Sequence, residues 1–354
     1  LNVLRAHVYP RATEHVPEML GLIDRLKDQG VVYEREGSVY YRIAGFADYG
    51  RLSGKDPGEL RAGASGRVDA DSYDKDDVRD FALWKAARPG EPSWEGPAGP
   101  GRPGWHIECS AMSMKYLGDS FDIHTGGVDN IFPHHENEIA QSQGATGLPL
   151  ARYWLHAAHL IVEGEKMSKS LGNFRTLREL LDEGHEPRTL RYFLLSSHYR
   201  RVLDLGSQSL ATARQSLERL DDFVARLEEG RSAGEGDPRI KSGIAEATNR
   251  FHDCLDDDLN TAGALGALFE MVRDMNTSLD RQVAGSDEIG AALALLSDFE
   301  TVFGIPLGRE KEQLTAEEAD LVQGREEARR NRDYAEADRI RDELAGRGIV
   351  LEDT

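Results

Sequence analysis

Cysteine is scarce: Cys109 and Cys254 are the only two in 354 residues. Two thiols cannot build a disulfide framework, which fits a reducing compartment and a cytoplasmic location. No apolar run reaches the roughly 18 residues that a membrane-spanning helix requires, so no membrane partner is expected. Positive charge is also short. The chain carries 43 Lys and Arg against 63 Asp and Glu, a formal net charge of -20. That balance argues against a protein that wraps nucleic acid by bulk attraction. Only nine of the basic residues are lysines. Leu1 supplies neither an initiator Met nor a signal-like apolar segment, and that start reads as the sign of a fragment. Repeats and low-complexity tracts are absent. What remains is ordinary: 39% hydrophobic and 30% charged residues, enough for two or three domains at about 100–200 residues each.

Residues 13–29 carry Val16, Met19, Leu20, Ile23 and Leu26 at a spacing of three and four. This spacing predicts a helix, with Thr13 as its N-cap and Gly30 at its end. Val31–Arg42 alternates around Glu36-Gly37 and predicts a β-hairpin. Residues 45–80 read as polar surface loops with little core, and Pro89–Pro103 as a Pro/Gly connector. From Trp105 to Tyr153 short apolar segments alternate with Gly-rich turns. Phe121–His124 is a strand candidate, 134–143 a helix after Pro133, and Tyr153–Val162 a strand, together an α/β layer. From Glu179 onward the pattern turns helical, over Leu210–Leu227, Ile244–Leu255, Ala262–Leu279 and Ile289–Phe303. A polar loop, Gly230–Pro238, interrupts it. Residues 316–345 form a highly charged helical segment.

Three stretches concentrate chemistry: GRPGWHIECSAM (101–112), FDIHTGGVDNIFPHHENEIAQ (121–141) and KMSKSLGNF (166–174). His134 and Glu138 stand four apart and share a helix face. With Cys109 they offer sulfur, nitrogen and oxygen, a donor mixture that suits Zn²⁺. A lone Cys is also commonly a small buried hydrophobe, and spacing alone leaves both readings open. A zinc-protease pattern is excluded, because the second His of H-E-x-x-H would fall on Ile139. Lys166 and Lys169 place two ammonium groups three apart in a loop between Gly164 and Gly172. Lysine is a mobile point charge suited to polyphosphate; simple solvation is the plain alternative, weakened by the scarcity of lysine. Gly126, Gly127 and Asp129 follow a strand end and offer close backbone approach plus an acceptor for a ribose hydroxyl, although such a sequence is often only a turn.

These motifs together resemble cysteinyl-tRNA synthetases, a family of class I aminoacyl-tRNA synthetases, and the resemblance runs along essentially the whole chain. YPRATEHV (9–16) and DFALWKAARPGEPSW (80–94) resemble the borders of the family's insertion. LDDDLNTAGAL (255–265) resembles its helical bundle, and residues 325–354 its anticodon-recognition end. KMSKS is shared across class I synthetases, whereas the Cys/His/Glu set with HHENE is far more specific.

The resemblance implies an α/β plus all-α fold. A partial Rossmann-like nucleotide-binding domain with an insertion precedes a helical bundle and an anticodon-recognition segment. The expected division is 1–100 for the end of the first catalytic half and the insertion, and 101–155 for the second half. It continues with 156–205 for the KMSKS and stem-contact region, 206–308 for the bundle and 309–354 for the anticodon segment. It also implies one Zn²⁺ held by Cys109, His134 and Glu138, to which the substrate thiolate binds. Such coordination solves a selection problem, since an apolar pocket separates near-isosteres by only ~1–3 kcal/mol. Trp105 and His124 match positions beside the substrate cysteine; Gly127, Asp129 and Lys169 match the ATP side, with Mg²⁺ accompanying ATP. Lys166 and Lys169 match the loop that stabilises departing pyrophosphate, and so count as catalytic. Partners are L-cysteine, ATP and tRNA(Cys), and a monomer is expected.

Arg325, Arg329, Arg330, Arg332, Arg339 and Arg341 are candidates for a local basic track on tRNA phosphates. Interleaved acids equally describe a solvated helix. The sequence departs from the family in two places. No HIGH-type motif occurs, and the family's fourth zinc ligand, a Cys, would precede Leu1; Cys254 reads as a structural Cys of the bundle. A fragment so composed is expected to bind zinc weakly and not to form an adenylate alone. Two alternatives stand beside this reading: the cysteine:glucosaminyl-inositol ligase of mycothiol synthesis, and a non-catalytic tRNA-binding remnant.

Overall fold

A computed structural model describes residues 1–56, 77, 79–229, 235–308, 316–331 and 333–346. Helix α1 (Val16–Asp28) buries Val16, Met19, Leu22, Ile23 and Leu26 on the face its spacing dictates. Its start differs from expectation. Thr13 lies in a separate 3₁₀ turn, Ala12–Glu14, and His15 precedes the helix without a side-chain cap. Pro17 in the first turn, with its fixed φ and missing N–H, sets the beginning instead. Strands β1 (Val32–Arg35) and β2 (Ser38–Tyr41) form the predicted hairpin. Its turn holds Glu36 at φ 48° and Gly37 at φ 74°.

β2 pairs with β3 (Phe81–Ala86), and β3 with β4 (Gly101–Pro103), giving a four-stranded antiparallel sheet. The Pro/Gly stretch 89–103 is therefore a connector only in part. Its end is an edge strand, closed by the Trp94–Gly101 bridge and by the Trp84 indole donating to Gly99 O. Residues 45–80 also contribute more core than expected, because Tyr49 and Asp80 are buried. The part of that stretch over 57–76, with 78, lies outside the described residues.

Helix α2 (Trp105–Leu117) leads to β5 (Phe121–Gly127). A wide helical turn, Ile131–His135, then runs into α3 (Glu136–Thr146). β6 (Ala151–Ala157) returns parallel to β5, in register from Phe121 opposite Ala151 to Gly127 opposite Ala157. This is a βαβ crossover, in which the helix between two parallel strands covers the sheet. The hydrophobic cluster beneath joins α1, the hairpin, β3, Ile107 and Ala111 of α2, and Ala140 of α3. The run Tyr153–Val162, expected as one strand, divides into β6 and β7 (Leu160–Val162). β7 pairs with β8 (Glu165–Lys166) and with β9 (Leu203–Leu205). Between β8 and β9 stand α4 (Leu177–Asp182) and α5 (Pro187–Leu195).

The four helical periodicities become α6 (Ser207–Glu229), α7 (Pro238–Asp256), α8 (Thr261–Asp280) and α9 (Ser286–Phe303), packed on a second core. Cys254 sits on α7, partly buried against that core. The charged helical segment comprises two helices, α10 (Ala316–Arg330) and α11 (Tyr334–Gly346). Asp333 separates them, because its carboxylate accepts from the Glu336 N–H and caps the second helix. No helix among the described residues is long and apolar enough to cross a membrane.

Candidate metal centre and active site

α2 and α3 meet through polar residues. α2 presents Cys109, and the turn before α3 presents His134 one helical turn ahead of Glu138. The donor atoms of Cys109, His134 and Glu138 all lie within 4.8 Å of one another. Their surroundings orient them. His106 Nδ1 and His134 Nδ1 share a hydrogen bond of 2.9 Å, which leaves His134 Nε2 facing Glu138 Oε2 at 3.6 Å. Such support through the other ring nitrogen is how metal-binding imidazoles are held. Glu138 is fully buried. Its Oε2 sits 3.2 Å from His124 Nε2, and its Oε1 has no hydrogen-bond partner. A buried carboxylate oxygen without a partner costs free energy unless a cation completes it. The three donors fit a divalent cation of borderline softness.

The electrostatics agree with that use. Burial above all, then Glu138 and Glu108, pushes the Cys109 thiol up to about 12. Without a cation it keeps its proton, and binding a metal would release it. Burial and its neighbour His134 drive His106 down to about 3. Burial and the neighbouring histidines, His124 first, do the same to His135, also to about 3. His134 is lowered too, chiefly by burial against the opposing pull of Glu138. The imidazoles are thus held neutral, the form that ligates.

Trp105 and His124, expected beside the substrate, both border the triad. The Trp105 ring lies 4.5 Å from His134, centroid to centroid, and remains half exposed. The indole thus lies against the His134 ring and meets solvent elsewhere. Gly126 and Gly127 end β5, and a side chain at Gly126 would collide with the buried His135 ring, whereas one at Gly127 would displace only the Asp129 carboxylate. A Cβ on Gly126 would stand 2.7 Å from His135 Cε1, and one on Gly127 2.4 Å from Asp129 Oδ1. Asp129 therefore folds back across the strand end.

Among the described residues the two lysines share no hydrogen bond or ion pair with this cluster. Lys166 ends β8, and Lys169 follows in a turn that Asn173 closes by accepting from Ser168 N–H and donating to Lys166 O. Among the described residues neither lysine has an ion-pair partner; the Lys169 ammonium stands 5.6 Å from the Phe174 ring centroid. On α10 and α11, Arg325 and Arg329 precede Arg339, which is held by Glu336 at 2.7 Å and Glu343 at 3.0 Å. Arg341 pairs with Asp338 and Asp342. Arg332 lies outside the described residues.

Several residues around the triad had no place in the sequence reading. His135 hydrogen-bonds His156 at 2.8 Å, and Trp154 packs against His124 and His135. His124, His135 and Glu138 also bring donor atoms within 4.8 Å of one another. The doubled histidine of HHENE marks His135, which enters the sequence pattern only as the start of the excluded H-E-x-x-H match, whereas no motif marks Trp154 or His156.

Comparison with known proteins defines the class first. Residues 1–215 match the family described as "tRNA synthetases class I (C) catalytic domain". Residues 250–308 match the DALR domain, and 311–354 the "Cysteinyl-tRNA ligase anticodon binding domain". The fold is that of class I synthetases. Methionyl-tRNA synthetase of Mycobacterium tuberculosis, bound to methionyl-adenylate, superposes with a TM-score of 0.58 at 18% identity, over 82% of this chain and 71% of that one. A protein called cysteine–tRNA ligase from Carboxydothermus hydrogenoformans is 48% identical over the whole of this chain and 76% of its own length. Another of that name, from Solibacter usitatus, is 48% identical over 97% of this chain and 74% of its own. The chain belongs to the cysteine–tRNA ligase family.

Proposed function

We propose that this chain takes part in the ATP-dependent attachment of L-cysteine to tRNA(Cys), with Cys109, His134 and Glu138 holding Zn²⁺ in the amino-acid pocket. The observation that carries the reading is the convergence of these three donors, with one oxygen of the buried Glu138 carboxylate left without a hydrogen-bond partner. When bound there, zinc supplies a soft acceptor for a thiolate, which serine and alanine cannot offer. The protein's own groups do the rest. Trp105 closes the pocket over His134, and His124 fixes the Glu138 carboxylate. Asp129 and Gly127 take the ribose side of ATP. The cysteine carboxylate attacks the α-phosphate, the bond to pyrophosphate breaks, and Lys169 with Lys166 neutralises the departing charge. The terminal ribose hydroxyl of tRNA then takes the acyl group and releases AMP.

The segment from Arg325 to Arg341 carries the tRNA contacts in this reading, and the domain division is the one drawn from the sequence. A cytoplasmic location accompanies it. The whole gene product should catalyse cysteine-dependent exchange of pyrophosphate into ATP and then charge tRNA(Cys). Exchange that serine supports equally well would refute zinc-based selection. Charging of an amino-sugar inositol in place of tRNA would refute the acceptor.

A further inference from the structure

The turn that carries His134 is not a regular helix. Ile131–His135 is a wide turn, and Phe132 within it is extended at φ -134° and ψ 129°. Its backbone is therefore not set by the i to i+4 ladder that fixes an ordinary helix, and turns of this kind occur at functional sites. Something outside the turn must hold it. Four contacts from one segment do so. The Glu136 carboxylate, fully buried, accepts the Gly50 N–H at 3.1 Å and the Ser53 N–H at 2.6 Å. Asn137 Oδ1 accepts from the Tyr49 hydroxyl at 2.6 Å. The Lys55 ammonium lies 4.2 Å from the Phe132 ring centroid. Together they bracket His134, and Glu138 follows directly on Asn137.

We propose that Glu136 is a positioning residue of the metal centre: by fastening Gly50 and Ser53 across the first turn of α3, it sets the geometry in which His134 and Glu138 ligate. A carboxylate is suited to this. It accepts two backbone donors at once, and charged acceptors make the stronger hydrogen bonds. Its charge also faces the N-terminal end of α3, where negative charge is favoured. An amide in its place keeps one acceptor and sets an N–H₂ against the other backbone donor. The inference rests on the zinc reading above, and the test separates the two.

Co²⁺ is titrated into the metal-free 354-residue chain, and the thiolate-to-cobalt charge-transfer absorption is followed. The wild-type chain should show a band that Cys109→Ser abolishes. Glu136→Gln should bind about ten- to a hundred-fold more weakly, the range for partners that orient a ligand, with an altered band and an unchanged far-ultraviolet circular dichroism spectrum. Tyr49→Phe, which removes the hydroxyl that the same segment donates to the adjacent Asn137, should shift affinity in the same direction by less. Lys115→Ala, which breaks an ion pair to Glu18 on the other side of α2, should leave it unchanged. A wild-type chain without a Cys109-dependent band overturns the zinc reading, and this proposal with it. A wild-type band that Glu136→Gln leaves unaltered overturns the proposal alone. If Glu136→Gln fails to fold, unchanged affinity in Tyr49→Phe overturns it.

Discussion

Replacing Glu138 with Gln sets folding against function. The carboxylate is fully buried, Oε2 stands 3.2 Å from His124 Nε2, and Oε1 has no partner. A buried polar group left unsatisfied costs about 1–3 kcal/mol, and more when charged, against roughly 1 kcal/mol for a hydrogen bond made. The amide keeps the volume and removes the charge. The metal-free variant should therefore keep its stability or gain about 1–2 kcal/mol. Loss of a direct ligand should weaken metal binding by at least about a hundred-fold, the upper range for partners that only orient one. All four tryptophans, Trp84, Trp94, Trp105 and Trp154, fall in the part of the chain that carries the site, so intrinsic fluorescence reports its melting. For a unit of about 150–250 residues each kcal/mol corresponds to about 2–4 °C. The metal-free midpoint should stay level or rise by up to about 8 °C, while Zn²⁺ ceases to raise it. A variant that melts several degrees lower, or that zinc still stabilises as in the wild type, refutes the reasoning.

Gly126→Ala should destabilise the same region by about 1–3 kcal/mol, because the new Cβ meets His135 Cε1 at 2.7 Å and the ring has to move; an unchanged denaturant midpoint in tryptophan fluorescence contradicts this. Tyr41 and Tyr49 are buried, and burial raises both phenols well above the ordinary 10.0. The unfolded chain gives up these protons near pH 10 and the folded one does not, so their stabilising effect is complete below pH 10 and lost as pH rises above it. Denaturant midpoints should fall between pH 9 and 11, and Tyr41→Phe with Tyr49→Phe should flatten the slope. Lys169→Ala in the whole gene product should slow pyrophosphate exchange by about a hundred-fold or more, with zinc content and the KM for cysteine unchanged. A change in KM alone would place Lys169 in substrate binding instead.

How far the sequence could be read depended on what each element buries. α6 to α9 and α1 bury apolar stripes, and a stripe at helical spacing is visible in one dimension. The Glu36-Gly37 hairpin was equally plain, since its turn demands positive φ. α2 was not recognised as a helix because the face it buries is mixed: His106 and Ser110 beside Ile107 and Ala111. α3 buries Glu136, Asn137, Glu138 and Gln141, a pattern that reads as solvent-facing until its partners are known. Those partners, Gly50, Ser53, Tyr49 and Ser110, are far away in sequence. The triad itself was legible through residue chemistry, whereas the histidines behind it depend on β5 and β6 lying parallel. β4 was hidden because Pro and Gly mark turns more often than edge strands.

X-ray absorption at the zinc edge of the loaded chain tests the central claim most directly. It should find one sulfur at about 2.3 Å with nitrogen and oxygen ligands, lost in Cys109→Ser. L-Cysteine should add a second sulfur to the shell, and L-serine should leave it as it was. A shell without sulfur, or one that neither Cys109→Ser nor L-cysteine alters, would contradict the assignment of Cys109, His134 and Glu138 as the site that selects cysteine.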